Sequence, residues 1–190
     1  MTELWLVRHG QTDWNLEGRL QGQLDVPLNE TGLQQVRSLA EKLKATKFNA
    51  IFSSDLMRAR QTAGIISEAL GLPVTYDRRL REISQGEVEG MLFSDVITRF
   101  ENALADRTRD PVNSRLPGGE SVAELAARFR ECVDEIASGD YDHPVLVVAH
   151  GLAIATILCS ARGYPMETVH SHIQENATAE IIHWDGTKKS

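Results

Sequence analysis

The sequence lacks most of what would mark a secreted, membrane-spanning or nucleic-acid-binding protein. It has only two cysteines, Cys132 and Cys159, each inside an apolar helical pattern. Two such thiols read as buried groups in a reducing compartment, not as a disulfide framework. No CxxC or paired Cys/His spacing occurs, which argues against a structural zinc site. No apolar run reaches the length of a membrane span. Basic residues are outnumbered, with 20 Lys and Arg against 27 Asp and Glu and a net charge of -7. That balance argues against a global footprint for nucleic acid or an anionic membrane. An anionic substrate is admitted only through a local basic pocket. The opening Met1-Thr2-Glu3-Leu4-Trp5 has no basic region, long apolar stretch or cleavage site. No signal peptide is expected, and the expected location is cytoplasmic. GxxxxGK[ST] and a post-strand GxGxxG are also missing, so nothing supports a nucleotide-dependent kinase or a dehydrogenase.

What is present is β-α-β alternation over 190 residues, enough for one domain with a buried core. Leu4 to Val7 reads as a buried strand that runs into Arg8, His9 and Gly10. Ligands of open α/β sheets bind just outside such carboxyl ends, and Gly10 would let the backbone turn and a ligand approach. Asp13 to Pro27 reads as a polar loop near the site, with Asn15, Arg19 and Gln21 as candidate contacts. Asn29 caps a helix over about Glu30 to Lys44. Ala50 to Phe52 is a second strand. Ser53, Ser54 and Asp55 then supply N-cap chemistry for a helix over about Asp55 to Leu70. Its first turn holds Arg58, either a surface residue or a phosphate ligand beside the positive end of the helix dipole. Val74 to Tyr76 is a third strand. Glu82 follows among arginines, as a structural ion-pair partner or as a general acid at the rim of a cationic pocket.

Periodicity is weak from Ser84 to Gly119, with one helix expected over about Phe93 to Leu104. The segment reads as an insertion packed over the site, a lid that would select the substrate. Glu120 or Ser121 opens a strong helix to about Ala137, and Pro144 to Ala149 reads as a central parallel strand. It ends in His150-Gly151, echoing His9-Gly10. Leu152 to Ser160 is apolar nearly all round and reads as a buried helix. Thr178 to Trp184 is a last strand, followed by a frayed tail over 185–190.

Two strands ending in His-Gly, with Arg8 and Arg58 nearby, suit a tetrahedral dianion. A phosphoryl group must be neutralised at its oxygens before a nucleophile can attack. Arg8 and Arg58 can do this without a metal, and His150 can add a hydrogen bond. Neutral His9 can attack phosphorus in line, while Glu82 can protonate the leaving oxygen and later deprotonate water.

The run Leu6-Val7-Arg8-His9-Gly10-Gln11-Thr12-Asp13-Trp14-Asn15 resembles the signature of the histidine phosphatase superfamily, in its cofactor-dependent phosphoglycerate mutase-like branch. The resemblance continues through Arg19-Leu20-Gln21-Gly22, Leu28-Asn29-Glu30-Thr31-Gly32 and Ser53-Ser54-Asp55-Leu56-Met57-Arg58-Ala59. It takes in Leu80-Arg81-Glu82-Ile83, Pro117-Gly118-Gly119-Glu120-Ser121 and Val148-Ala149-His150-Gly151, in family order over most of the chain. It implies that His9 is the phosphorylated histidine and Glu82 the proton donor and acceptor, with Arg8, Arg58 and His150 forming the phosphate pocket. Gly10, Asn15, Gln21, Gly22, Gly151 and Leu152 would contact substrate. The implied fold is a three-layer α/β/α sandwich with a mostly parallel sheet, as one domain over 1–190 with the insertion at about 84–119.

Two departures point away from a mutase. The insertion is compact, and Leu152 follows the second His-Gly where mutases usually have Asn. The chain looks more like the small phosphatases of the family, such as broad-specificity, α-ribazole phosphate or sugar-phosphate phosphatases. Secreted acid phosphatases are disfavoured, because His-Gly stands in place of their usual His-Asp. A metal-independent phosphomonoesterase acting on a small phosphorylated metabolite is therefore expected. A phosphoglycerate mutase is the alternative, and an idle regulatory member the second. No cofactor, nucleic-acid or membrane partner is expected, and a homodimer stays open. The His170/His172 pair has metal-ligand spacing but no third ligand, so both are expected at the pocket rim.

Overall fold

A computed structural model of the chain describes residues 1–185. In chain order the elements are β1 (Thr2–Arg8), α1 (Asp13–Glu17), α2 (Glu30–Leu43), β2 (Ala50–Ser53), α3 (Met57–Leu70) and β3 (Val74–Tyr76). The insertion contributes α4 (Phe93–Arg99) and α5 (Glu101–Arg109), and α6 (Val122–Ala137), β4 (Val145–Ala149), α7 (Gly151–Arg162) and β5 (Ala179–Trp184) follow. Short 3₁₀ turns lie at Arg78–Leu80, Gly86–Val88 and Met166–His172.

Among the described residues the strands form one sheet in the order β3-β2-β4-β1-β5. The first four are mutually parallel, and β5 pairs antiparallel to β1 at the edge. Every residue of β4 is apolar and buried, as a strand covered on both faces requires. Its side chains alternate: Val145, Val147 and Ala149 pack with α6 and α7, whereas Leu146 and Val148 pack with α2 and α3. Helices therefore cover both faces, giving the expected three-layer α/β/α sandwich. From β1 the chain passes to α2 on one face, and from β4 to α7 on the other. β1 and β4 are neighbours, so their carboxyl ends flank a crevice at a topological switch point. His9 follows β1 and His150 follows β4.

Several local expectations are corrected. The polar loop 13–27 contains α1, held by a capping box in which Thr12 and Asn15 satisfy each other's backbone N–H. Ser53, Ser54 and Asp55 do not cap α3. Its N-cap is Leu56, with no side-chain cap of its own. Asp25 instead accepts from the Met57 N–H at 2.8 Å, and Asp55 is drawn into a two-bond pair with Arg81 at 2.6 and 2.7 Å. A charged guanidinium fork outcompetes a backbone N–H for that carboxylate. The single helix expected over Phe93 to Leu104 is two, broken at Phe100 (φ -127°, ψ 34°). The insertion has a small apolar cluster of its own, in which Val88, Val96 and Leu116 are buried with Leu20 packed against them. The tail expected to fray over 186–190 lies outside the described residues.

Candidate active site

A cavity of about 770 Å³ opens at the carboxyl ends of β1 and β4. Of the residues singled out from the sequence, Arg8, His9, Asn15, Gln21, Gly22, Arg58, Glu82, Gly151 and Leu152 line it. His150 and Gly10 do not. His150 lies fully buried behind His9, with ring centroids 5.2 Å apart. Gly10 packs against α2: a Cβ there would meet the Gly32 carbonyl oxygen at 2.7 Å and Val36 Cγ2 at 2.8 Å. Its missing side chain lets α2 pack close.

His9 is held from three directions. Its Nδ1 lies 2.7 Å from the Gly10 carbonyl oxygen, which can only accept, so Nδ1 carries the proton and Nε2 keeps its lone pair. The Gly10 N–H donates to Thr62 Oγ1 at 3.2 Å, and that hydroxyl donates to the Arg58 carbonyl at 2.8 Å. Asn176 Nδ2 donates to the His9 carbonyl at 3.0 Å. Burial, then the charges of Arg58 and Arg8, hold the His9 pKa well below the ordinary histidine value. The imidazole is therefore neutral and nucleophilic at pH 7.

Arg58 is almost wholly buried, which corrects the surface alternative. Its two terminal nitrogens donate to the Leu24 and Gly22 carbonyls, each at 2.8 Å, while Nε has no partner. Desolvation lowers its pKa to about 10, so it stays charged at neutral pH. Arg8 Nη1 donates to the Gln174 carbonyl, and its buried Nε is also unpartnered. Arg8 lies against the start of α7. A Cβ on Gly151 would sit 2.9 Å from Ile173 Cγ2 and 3.2 Å from both Arg8 Nε and Cζ, so any larger residue there would push on both side chains. His150 Nε2 lies 2.8 Å from Ser54 Oγ, and its buried Nδ1 has no partner. Its pKa too is held well below the ordinary value, first by burial and then by Arg58.

Glu82 is not the ion-pair partner of its neighbours. Arg79 pairs with Asp77, Glu131 and Glu135, and Arg81 with Asp55. The Glu82 carboxylate instead accepts from the backbone N–H groups of Ile83 (2.9 Å), Leu152 (3.1 Å) and Ala153 (3.1 Å). The last two belong to the first turn of α7, where orphan N–H groups and the dipole favour an anion. The helix start that faces the cavity is thus that of α7. The start of α3, expected there, is closed by Asp25.

The HxH pair diverges. His170 lines the cavity, whereas His172 stacks on Tyr164 with centroids 4.4 Å apart and pairs with Thr168. Among the described residues no group of three or more His, Cys, Asp or Glu is arranged to hold a metal. Sequence reasoning missed Thr62 and Asn176, whose contacts reach 52 and 167 residues along the chain. It also missed the partnership of Ser54 with His150.

A sequence model of the histidine phosphatase superfamily (branch 1) matches residues 4–190. A Hydrogenobacter thermophilus relative, provisionally named phosphoserine phosphatase 2, is 36% identical over 190 residues, 100% of this chain and 93% of the relative. An Escherichia coli relative, provisionally named phosphoglycerate mutase GpmB, is 36% identical over 165 residues, 87% of this chain and 77% of the relative. The solved mycobacterial glucosyl-3-phosphoglycerate phosphatase in complex with VO3 superposes with a TM-score of 0.86 at 35% identity, covering 95% of this chain and 92% of that one. The chain belongs to the histidine phosphatase superfamily, branch 1.

Proposed function

We propose that this histidine phosphatase is a metal-independent phosphomonoesterase that hydrolyses small phosphorylated metabolites through a phosphohistidine on His9. The observation that carries this reading is a pair of buried guanidinium donors without acceptors, Arg8 Nε and Arg58 Nε, with the unpartnered ring nitrogen Nδ1 of buried His150, around a histidine with a free Nε2. Unpaired buried donors are costly, and a phosphoryl group supplies the acceptors they lack. Arg8 and Arg58 neutralise the nonbridging oxygens. His9 Nε2 attacks phosphorus, the ester P–O bond breaks, and protonated Glu82 gives its proton to the leaving oxygen. The Glu82 carboxylate then takes a proton from water as the P–N bond breaks, releasing phosphate and restoring the acid. Asn15 accepts from Thr12 through Oδ1, which leaves its amide N–H₂ for substrate. The insertion over 84–119 acts as a lid within a single domain, and its cavity-facing residues select the substrate.

The names of the relatives support phosphatase chemistry, with a mutase as the alternative. Incubation with 3-phosphoglycerate in EDTA separates them. Released inorganic phosphate supports hydrolysis, and the 2-isomer without free phosphate supports the mutase. Activity abolished by EDTA and restored by Mg²⁺ or Zn²⁺ would refute the metal-free route.

A further inference from the structure

Ser54 is buried and has no task in the chemistry above. It follows β2 directly, and its backbone is pinned from two sides. Its N–H donates to the Val148 carbonyl of β4 at 2.9 Å, and its carbonyl accepts from the Ser53 hydroxyl at 2.8 Å. His150 stands two residues beyond Val148, so the β2–β4 ladder sets the spacing of serine and histidine. Ser54 Oγ lies 2.8 Å from His150 Nε2 and accepts from the Leu56 N–H at 3.3 Å. A hydroxyl has one proton to donate. The Leu56 N–H is itself a donor, and among the described residues His150 Nε2 is the one acceptor that meets this hydroxyl. A buried proton left without an acceptor is costly. The Ser54 proton is therefore given to Nε2.

With its lone pair turned to Ser54, Nε2 carries no proton, and a neutral imidazole then carries its proton on Nδ1. Burial and the Arg58 charge keep the ring neutral at pH 7. The tautomer therefore decides what His150 offers. Nδ1 is buried without a partner, as are Arg8 Nε and Arg58 Nε. Protonated, it is a third donor for a phosphoryl oxygen; bare, it would present a lone pair that repels one. We propose that Ser54 is a positioning residue of the phosphoryl site, whose hydroxyl holds His150 in the Nδ1–H tautomer that donates to the phosphoryl group. This rests on the phosphatase reading above. The two histidines then share a tautomer and serve opposite ends. In His9 the Gly10 carbonyl takes the Nδ1 proton and leaves Nε2 bare for attack. In His150 the Ser54 hydroxyl occupies Nε2 and leaves the Nδ1 proton for an oxygen.

Long-range ¹H–¹⁵N spectra of histidine-labelled protein at neutral pH, free and with orthovanadate, read the tautomer directly. The His150 signals, assigned by their loss in His150→Gln, should show a protonated Nδ1 and a bare Nε2 in both states. A proton on Nε2 in the free wild type, alone or together with one on Nδ1, would overturn the proposal and leave the phosphatase reading intact. Ser54→Ala should let an Nε2–H population appear. It should also lower kcat/KM for p-nitrophenyl phosphate by about threefold to tenfold, the factor that one neutral hydrogen bond carries. Ser54→Cys, a weaker donor of similar shape, should fall between alanine and wild type, and it serves with the wild-type spectrum if the alanine variant does not fold. A glutamine has no tautomer to set, so in the His150→Gln background Ser54→Ala should cost almost nothing further. Equal losses in the two backgrounds, or an unchanged tautomer in Ser54→Ala, would overturn the proposal and leave Ser54 as packing at the start of α3. Failure of wild type to release phosphate from p-nitrophenyl phosphate would overturn the phosphatase reading, and with it the role of Ser54, whatever the spectrum shows.

Discussion

Replacing Glu82 by Gln separates a proton-transfer role from a structural one. The amide keeps an oxygen that can accept from Ile83 and Ala153, as Oε1 does now, but turns an N–H₂ toward the Leu152 N–H. One charge-assisted hydrogen bond is lost, together with the anion at the head of α7. Hydrogen bonds to charged groups contribute about 1.5–3 kcal/mol, and a half-buried site falls toward the lower end. α7 itself should hold, because residues 151–159 are all buried. The chemical effect is larger and selective. General acid catalysis is worth about a hundredfold to ten-thousandfold, which an alkoxide leaving group needs and p-nitrophenolate barely does. Dephosphorylation of His9 still needs a base, so steady-state rates mask the contrast. The assay is the pre-steady-state burst, with an alkyl phosphate and with p-nitrophenyl phosphate, backed by urea unfolding. The alkyl burst should fall on that scale and the aryl burst far less. Equal losses for both esters would refute the acid role and leave Glu82 as a cap of α7.

Acid should destabilise the free protein by way of its two buried histidines. His9 and His150 titrate well below 6.5 when folded, so above that value both are neutral in either state and stability is full. As pH falls below 6.5 the unfolded chain takes up protons that the folded one refuses, at a cost of up to about 1.4 kcal/mol per pH unit for each group. Urea unfolding at pH 7.0, 6.0 and 5.5 should show this fall, and His150→Gln should lessen the slope by about one proton; an unchanged slope would contradict the assigned burial. Gly10→Ala forces a methyl into the Gly32 carbonyl and Val36. Overpacking of this kind costs about 1–3 kcal/mol, so melting should fall by several degrees and turnover with it as His9 shifts. A variant with wild-type melting and activity would sink the packing role.

Much of this site was legible because its chemistry is written in short runs. Arg8-His9-Gly10 and His150-Gly151 each follow an apolar stretch, and strand ends are where such residues converge. The position of Arg58 two residues into α3 was legible too, but its burial was not. Burial depends on the 22–24 backbone wrapping over its guanidinium, a contact more than 30 residues away. The same distance hid Thr62, Asn176 and the Ser54–His150 pair. α1 has five residues, too few for a helical period to register. The break at Phe100 is set by how α4 and α5 fold onto the Val88 and Leu116 cluster, not by a proline or glycine. A strand pattern carries no direction, so the antiparallel pairing of β5 with β1 appears only in the sheet. Gly10 was identified as special from its place after His9, but the close approach of α2 that requires a glycine there appears only in the structure.

The central claim is that His9 carries the phosphoryl group on Nε2. Glu82→Gln enzyme, mixed with p-nitrophenyl phosphate and denatured within the burst at neutral pH, should hold one acid-labile phosphate per chain. Peptide mapping by mass spectrometry should place it on His9, and ³¹P NMR should assign it to Nε2, because Nδ1 donates its proton to the Gly10 carbonyl. Phosphate on Nδ1, on another residue, or on nothing while His9→Ala still turns over would contradict the account.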